Sequence, residues 1–361
     1  MRVVVSAGGT GGHIYPALAI ISKIKENDKN CEILYIGTTD RMEATIVPSK
    51  GIKYVGIEMK GLNRKNLFKN FKVLSIYMKA RKKIKKVLQE FKPDIVLGIG
   101  GYITLPVVSV AASLGIKTFI HEQNSIPGLS NKILAKKVDK IGVSLEDSIK
   151  YFDPNKTIFT GNPRSEEVLG AKPLLKSKYG LKSNKKLVLI VMGSLGSLTI
   201  NNKMKEILPR FDASDYEVLF VTGKNYYDEY KQIKEIPSNV KIVPYLDDML
   251  SVMKKTDLMV TRTGASTIAE VTALGIPSVL IPSPYVTHNH QYKNALVLEK
   301  KNAGVIIDED KLSSEILIKT IDDILKDQKR YDIMKKNSES LGVKNSASKI
   351  YEVIKSLVDE V

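Results

Sequence analysis

Tryptophan is absent from the 361 residues, and cysteine occurs once, as Cys31. One cysteine excludes an internal disulfide framework and a cysteine-built zinc site, and it fits a reducing compartment. Histidine is scarce too: His13, His121, His288 and His290 leave few ways to assemble a metal centre. Without tryptophan, stacking on a ligand falls to tyrosine, phenylalanine or arginine. The opening residues MRVVV run straight into glycines, with no apolar leader and no cleavage site, so a secretory signal is not expected. Residues 95–116 are uncharged and long enough to cross a bilayer. They also contain Gly98, Gly100, Gly101, Pro106 and Gly115, so the better expectation is a buried strand over 95–99, a glycine turn, and a helix over about 106–114.

Acidic residues are the minority charge. Lysine and arginine total 56 against 39 aspartate and glutamate, a formal net charge of +17, which points to an anionic partner. Hydrophobic residues make up 43% and charged residues 26%, so the chain can bury a large core, and its length suits two domains.

Apolar runs that read as buried strands fall at 2–6, 33–36, 95–99, 118–120, 140–143, 187–192, 217–222, 240–243, 258–261, 278–281 and 305–307. Helical patterns lie between them, as at 16–25, 72–90 and 266–274. Continuous apolar strands alternating with helices predict parallel sheets covered on both faces, the doubly wound α/β class. Two strands lead into glycine loops, AGGTGGH at 7–13 and GSLGS at 193–197, and each reads as the opening of its own sheet. The expected division is one Rossmann-like domain over 1–162, a second over 163–342, and a C-terminal helix over 343–361. A linker is expected within 161–186. Two such domains facing each other would bind ligands in a cleft at their carboxyl strand ends.

The loop Gly8-Gly9-Thr10-Gly11-Gly12-His13 matches neither a Walker loop nor GxGxxG, but its glycines can turn N–H groups toward an anion. His13 at its end is a candidate general base. The segment TRTGASTIAE at 261–270 runs from strand through glycine to a helix start suited to a diphosphate, with Glu270 one turn further on for ribose hydroxyls. His121-Glu122-Gln123-Asn124 follows a strand but lacks the second histidine of HExxH, so zinc is not expected, and Glu122 is a second candidate base. His288-Asn289-His290-Gln291 reads as a polar loop and helix start that contacts a ligand. Over 62–90, apolar Leu67, Phe68, Phe71 and Leu74 interleave with Lys69, Lys72 and further cations, a pattern suited to an anionic lipid surface. No nucleic-acid-binding signature accompanies these charges, so nucleic acid is not an expected partner.

SAGGTGGHIYPALAI, DRMEATIVP, GIGGYITLP, HEQNSIPGLSNK, TGNP, TRTGASTIAE and HNHQYKNA, in this order and spacing, resemble the MurG family across essentially the whole chain. The resemblance implies a GT-B fold and inverting transfer of N-acetylglucosamine from UDP-GlcNAc to the C4 hydroxyl of a lipid-linked muramoyl-pentapeptide, undecaprenyl-diphosphate being the carrier. It also implies a peripheral position on the cytoplasmic face of the cell membrane; no cofactor is expected, and, because Asp247-Asp248 reads as a helix start, no obligatory metal either. The second domain would bind the nucleotide, and the first would bind the acceptor and the membrane. The family's donor contacts map onto Thr10, Gly11, Gly12, Asn124, Arg164, Ser194, Leu246, Ala265, Ser266, Thr267, Glu270 and Gln291. Two departures stand out. Gly161-Asn162-Pro163-Arg164 carries its arginine one place earlier than the usual GNPVR. GSLGS has Leu195 where the family's GGSQGA has a polar residue. The base stays open between His13 and Glu122, and the alternatives are a non-enzymatic nucleotide-sugar or anionic-lipid binding protein and, among enzymes, a GT-B epimerase or another glycosyltransferase.

Overall fold

The structure, a computed structural model, describes residues 1–59, 70–193, 196–233, 235–286 and 289–360, and over 70–74 the backbone only. It forms two compact units, Met1–Arg164 with Asn345–Val361, and Ser165–Lys344.

The first unit is built on strands β1 (Arg2–Ala7), β2 (Glu32–Thr38), β3 (Lys53–Ile57), β4 (Ile95–Gly100), β5 (Lys117–Glu122), β6 (Lys140–Val143) and β7 (Thr157–Phe159). All neighbours pair in parallel, in the order 3-2-1-4-5-6-7. Val3, Val4 and Val5 of β1 and Ile95, Val96 and Leu97 of β4 are fully buried, as expected of strands covered on both faces. Helix α1 (Gly11–Asn27) sends Ile14, Ala17, Ile20, Ile21 and Ile24 to one side of this sheet. The C-terminal helix, Ser346–Asp359, places Ile350, Ile354 and Leu357 in that same core at helical spacing. On the other side lie helices α3 (Asn70–Phe91), through Ala80, Ile84 and Leu88, and α4 (Thr104–Ser113). Residues 95–116 thus divide into a strand and a helix, and the helix starts two residues earlier than expected. Among the described residues no helix is long and apolar enough to cross a membrane.

The second unit repeats the plan with β8 (Leu187–Val191), β9 (Glu217–Val221), β10 (Val240–Val243), β11 (Leu258–Thr261), β12 (Ser278–Leu280) and β13 (Gly304–Ile306), all parallel, in the order 10-9-8-11-12-13. Both sheets therefore have the 3-2-1-4-5-6 winding of the Rossmann class, with a switch point between β1 and β4 in one and between β8 and β11 in the other. The two-sheet α/β architecture is that of the GT-B class.

Two strands escape the apolar pattern. In β3 most residues are only half-buried, and β7 has three residues, none buried, so neither edge strand writes an apolar run. The expected linker is also more structured than its prolines suggest. It carries a helix, Arg164–Gly170, and a 3-10 turn, Lys176–Tyr179.

Candidate active site

In the first unit, the loops after β1, β4 and β5 are tied together at the carboxyl ends of the strands. Gly8 N–H donates to Gly100 O at 3.1 Å, joining the first glycine loop to the end of β4. Gln123 Nε2 donates to Ile99 O at 2.8 Å, joining the loop after β5 to the same strand. Thr10 precedes α1, and its carbonyl accepts from His13 N and Ile14 N, so the helix starts within the glycine loop. Gly11 and Gly12 form its first turn. His13 Nδ1 lies 3.1 Å from Gly8 O. A carbonyl only accepts, so Nδ1 carries a proton. Arg164 lies over the ring of Tyr15, its guanidinium carbon 5.4 Å from the ring centre, on this same helix start.

Glu122 is buried at the end of β5, and both of its oxygens are engaged. One accepts from Asn124 N at 2.9 Å and Asn124 Nδ2 at 3.3 Å, the other from Gly128 N at 3.0 Å and Asn131 Nδ2 at 2.8 Å. The carboxylate thus folds the 122–131 loop around itself. His121 is fully buried, and burial pushes its pKa down to about 4. The neutral ring donates from Nε2 to Gly161 O at 3.0 Å and accepts at Nδ1 from Gln123 Nε2 at 3.0 Å.

In the second unit, Gly264 precedes helix α9 (Ala265–Leu274), and Ala265, Ser266 and Thr267 form its first turn. Glu270 is buried in the next turn. Helix α10 (His290–Lys300) presents Gln291, whose carbonyl accepts from Thr263 Oγ1 at 2.7 Å and whose Oε1 accepts from Ser283 N at 2.8 Å. Leu246 is buried after β10. Arg262 is the hub of this edge. It donates to Ser197 Oγ at 2.9 Å and Ile281 O at 3.0 Å, and it forms a buried ion pair with Glu309 at 2.5 Å. It thereby ties the loops after β8, β11, β12 and β13.

The carboxyl edges thus gather Thr10, Gly11, Gly12, His13, Glu122, Asn124 and Arg164 in one unit, and Leu246, Ala265, Ser266, Thr267, Glu270 and Gln291 in the other. Ser194, His288, Leu67, Phe68 and Lys69 lie outside the described residues, as do the side chains of Phe71, Lys72 and Leu74. Over residues 75–91 of α3, Lys79, Lys82, Lys85 and Lys86 are exposed, and Ala80, Ile84 and Leu88 face the core.

Glu43, Gln123, Asn131, Arg262 and Glu309 were given no role of their own by the sequence. The first four stood inside motifs quoted for other residues, and Glu309 gave no local signal.

Residues 3–143 match the glycosyltransferase family 28 N-terminal domain, and residues 187–353 match its C-terminal domain. The chain is 46% identical to the UDP-N-acetylglucosamine--N-acetylmuramyl-(pentapeptide) pyrophosphoryl-undecaprenol N-acetylglucosamine transferase of Halalkalibacterium halodurans, over 99% of each chain. The chain belongs to the MurG family. The relative of the same name from Bacillus licheniformis is 47% identical, again over 99% of each chain. Among solved structures, the MurG-family fold is shared with MurG of Acinetobacter baumannii, with a TM-score of 0.79, 23% identity, and coverage of 98% of this chain and 99% of that one. It is also shared with the UDP-GlcNAc 2-epimerase of Neisseria meningitidis, with a TM-score of 0.66, 14% identity, and coverage of 99% and 100%. The fold therefore does not separate MurG-family transferases from epimerases, whereas the near-full-length identity does.

Proposed function

We infer that the chain moves N-acetylglucosamine from UDP-GlcNAc to the C4 hydroxyl of undecaprenyl-diphospho-muramoylpentapeptide, with inversion at the sugar carbon, in peptidoglycan synthesis. The observation that carries this is the 46% identity to a transferase of that name over 99% of both chains. The nucleotide belongs on the second unit. There the N-terminus of α9 offers N–H groups to the diphosphate, Glu270 takes the ribose, and Leu246 lies against the uracil. Ser194, Asn124, Arg164 and Gln291 complete the donor contacts on this reading. The acceptor belongs on the first unit, at the Thr10-Gly11-Gly12 loop.

Two candidate bases are not equivalent. Glu122 already accepts four hydrogen bonds from its own loop. His13 has its tautomer set by Gly8 O. We therefore assign proton removal from the C4 hydroxyl to His13 Nε2 and loop positioning to Glu122. The hydroxyl oxygen then forms its bond to the sugar's anomeric carbon as the bond to UDP breaks. Charge developing on UDP is stabilised by helix-terminal N–H groups, with no obligatory metal. The segment around Leu67, Phe68, Lys69, Phe71, Lys72 and Leu74 rests on the anionic cytoplasmic face of the membrane, where the lipid tail of the acceptor remains.

The test is a transfer assay with radiolabelled UDP-GlcNAc and the lipid-linked acceptor, run with EDTA. The expected outcome is acceptor-dependent glycolipid product. Epimerised nucleotide sugar, or binding without turnover, would refute the assignment.

A further inference from the structure

We propose that Glu43 acts on His13 through the single peptide group that joins Gly8 to Gly9, which makes it a positioning residue for the transfer. The proposal rests on the assignment of His13 as proton acceptor.

Glu43 opens helix α2 (Glu43–Ser49) and is fully buried. Its Oε1 accepts from Thr38 N at 3.2 Å and Thr38 Oγ1 at 2.7 Å, at the end of β2. Its Oε2 accepts from Gly9 N at 3.0 Å. The other end of that same peptide, Gly8 O, accepts from His13 Nδ1 at 3.1 Å. The order is carboxylate, amide N–H, amide carbonyl, imidazole N–H. Hydrogen bonds in such a chain polarise one another, so a carboxylate on the N–H makes Gly8 O a stronger acceptor. A stronger acceptor holds the Nδ1–H tautomer and favours the imidazolium that forms when Nε2 takes a proton. The relation resembles a carboxylate that orients a catalytic imidazole, with one peptide interposed.

The sequence is shaped for this contact. A side chain at residue 8 would place its Cβ 2.4 Å from Glu43 Oε1, and Gly9 lies at φ +88°. Glycine at both places lets the peptide lie against the carboxylate. The other ionisable groups around Glu43 are Tyr35 of β2, Tyr54 of β3, Asp40 and Arg41 just before α2, and Tyr102 after β4. Tyr35 and Tyr54 are pushed above the ordinary tyrosine range, by burial first and then by the Glu43 charge, so both remain neutral near neutral pH.

The experiment measures acceptor-dependent transfer as a function of pH in the full chain, for the parent, Glu43→Gln and Glu43→Asp, with UDP affinity as the control. Glu43→Gln should lower kcat by about tenfold and move the acidic limb of kcat/KM to lower pH by about half a unit or more, because a neutral group no longer favours the imidazolium. UDP affinity should not change. Glu43→Asp keeps the charge and should recover part of both effects. A pH profile unmoved in Glu43→Gln, or equal losses in the two variants, would reduce Glu43 to a packing role and overturn the proposal. If Glu43→Gln does not fold, nitrogen-15 spectra of the histidines in the parent decide, with His13→Asn giving the assignment. A neutral His13 protonated at Nδ1 supports the coupling, and one protonated at Nε2 overturns it. This readout needs no turnover, so it also separates failure of the coupling from failure of the transferase assignment.

Discussion

The imidazole of His13 lies across the α-carbon of Gly100. A Cβ added there would stand 2.5 Å from His13 Cδ2 and 2.9 Å from Nε2, and Gly100 itself has φ +113°. Gly100→Ala therefore has to displace the ring and strain the backbone, at a cost of about 1–3 kcal/mol in stability. Transfer should fall at least tenfold, about 1.4 kcal/mol in barrier, while calorimetry finds UDP affinity unchanged. Parental kcat in a folded Gly100→Ala chain would mean that the position of the ring is irrelevant to the reaction.

Glu270 is buried one turn into α9, beside the assigned diphosphate site. Glu270→Ala should weaken UDP-GlcNAc binding by about 1.5–3 kcal/mol, the range for a hydrogen bond to a charged group. Isothermal titration reads this directly, and an unchanged dissociation constant would remove Glu270 from the donor site.

His121 gives the fold a dependence on pH. Its folded pKa, about 4, lies below the ordinary 6.5 because burial penalises the charged ring. The unfolded chain therefore binds this proton first as pH falls. The stabilisation is present above pH 6.5, declines between 6.5 and about 4, and amounts to roughly 3 kcal/mol in all. Melting temperatures measured from pH 7.5 down to 4.5 should drop more steeply for the parent than for His121→Gln. Parallel curves would contradict a neutral, buried His121.

Arg262 and Glu309 form an ion pair that solvent hardly reaches. Removing one partner of such a pair leaves a buried charge uncompensated and typically costs about 3–5 kcal/mol. Arg262→Met should approach that loss in chemical denaturation, and the double variant Arg262→Met with Glu309→Leu should recover most of it. If the two single losses simply add, the pair does not act as a unit.

The membrane assignment predicts a separation of activities. Replacing Phe68 and Phe71 with Ser, and Lys69 and Lys72 with Glu, should strongly reduce sedimentation with anionic vesicles, since each cation near such a surface contributes about 1 kcal/mol. UDP affinity should stay at the parental value. Undiminished vesicle binding by the folded variant would require another source of attraction for the +17 chain.

The alternation of apolar strand and helical run was legible along the chain because both sheets are parallel and covered on both faces, so most of their strands are written as short runs dominated by Val, Ile and Leu. Edge strands β3 and β7 were not, because half-exposed strands need no such run. The glycine loops, the start of α9 and Glu270 could be marked from local spacing alone, since a strand that ends in glycine before a helix is a one-dimensional signal. Glu43, Gln123 and Glu309 carry no such signal. Each is a polar residue whose meaning is its partner, and those partners are 34, 24 and 47 positions away in sequence, at Gly9, Ile99 and Arg262. Sequence by itself determined the class of fold and the family. Tertiary structure alone decided that Glu122 is occupied by its own loop, that His121 is buried and neutral, and that Glu43 reaches His13 through one peptide. Hydrogen-bond partners and desolvation depend on where the carboxyl ends of separate strands come together, and no local pattern encodes that meeting.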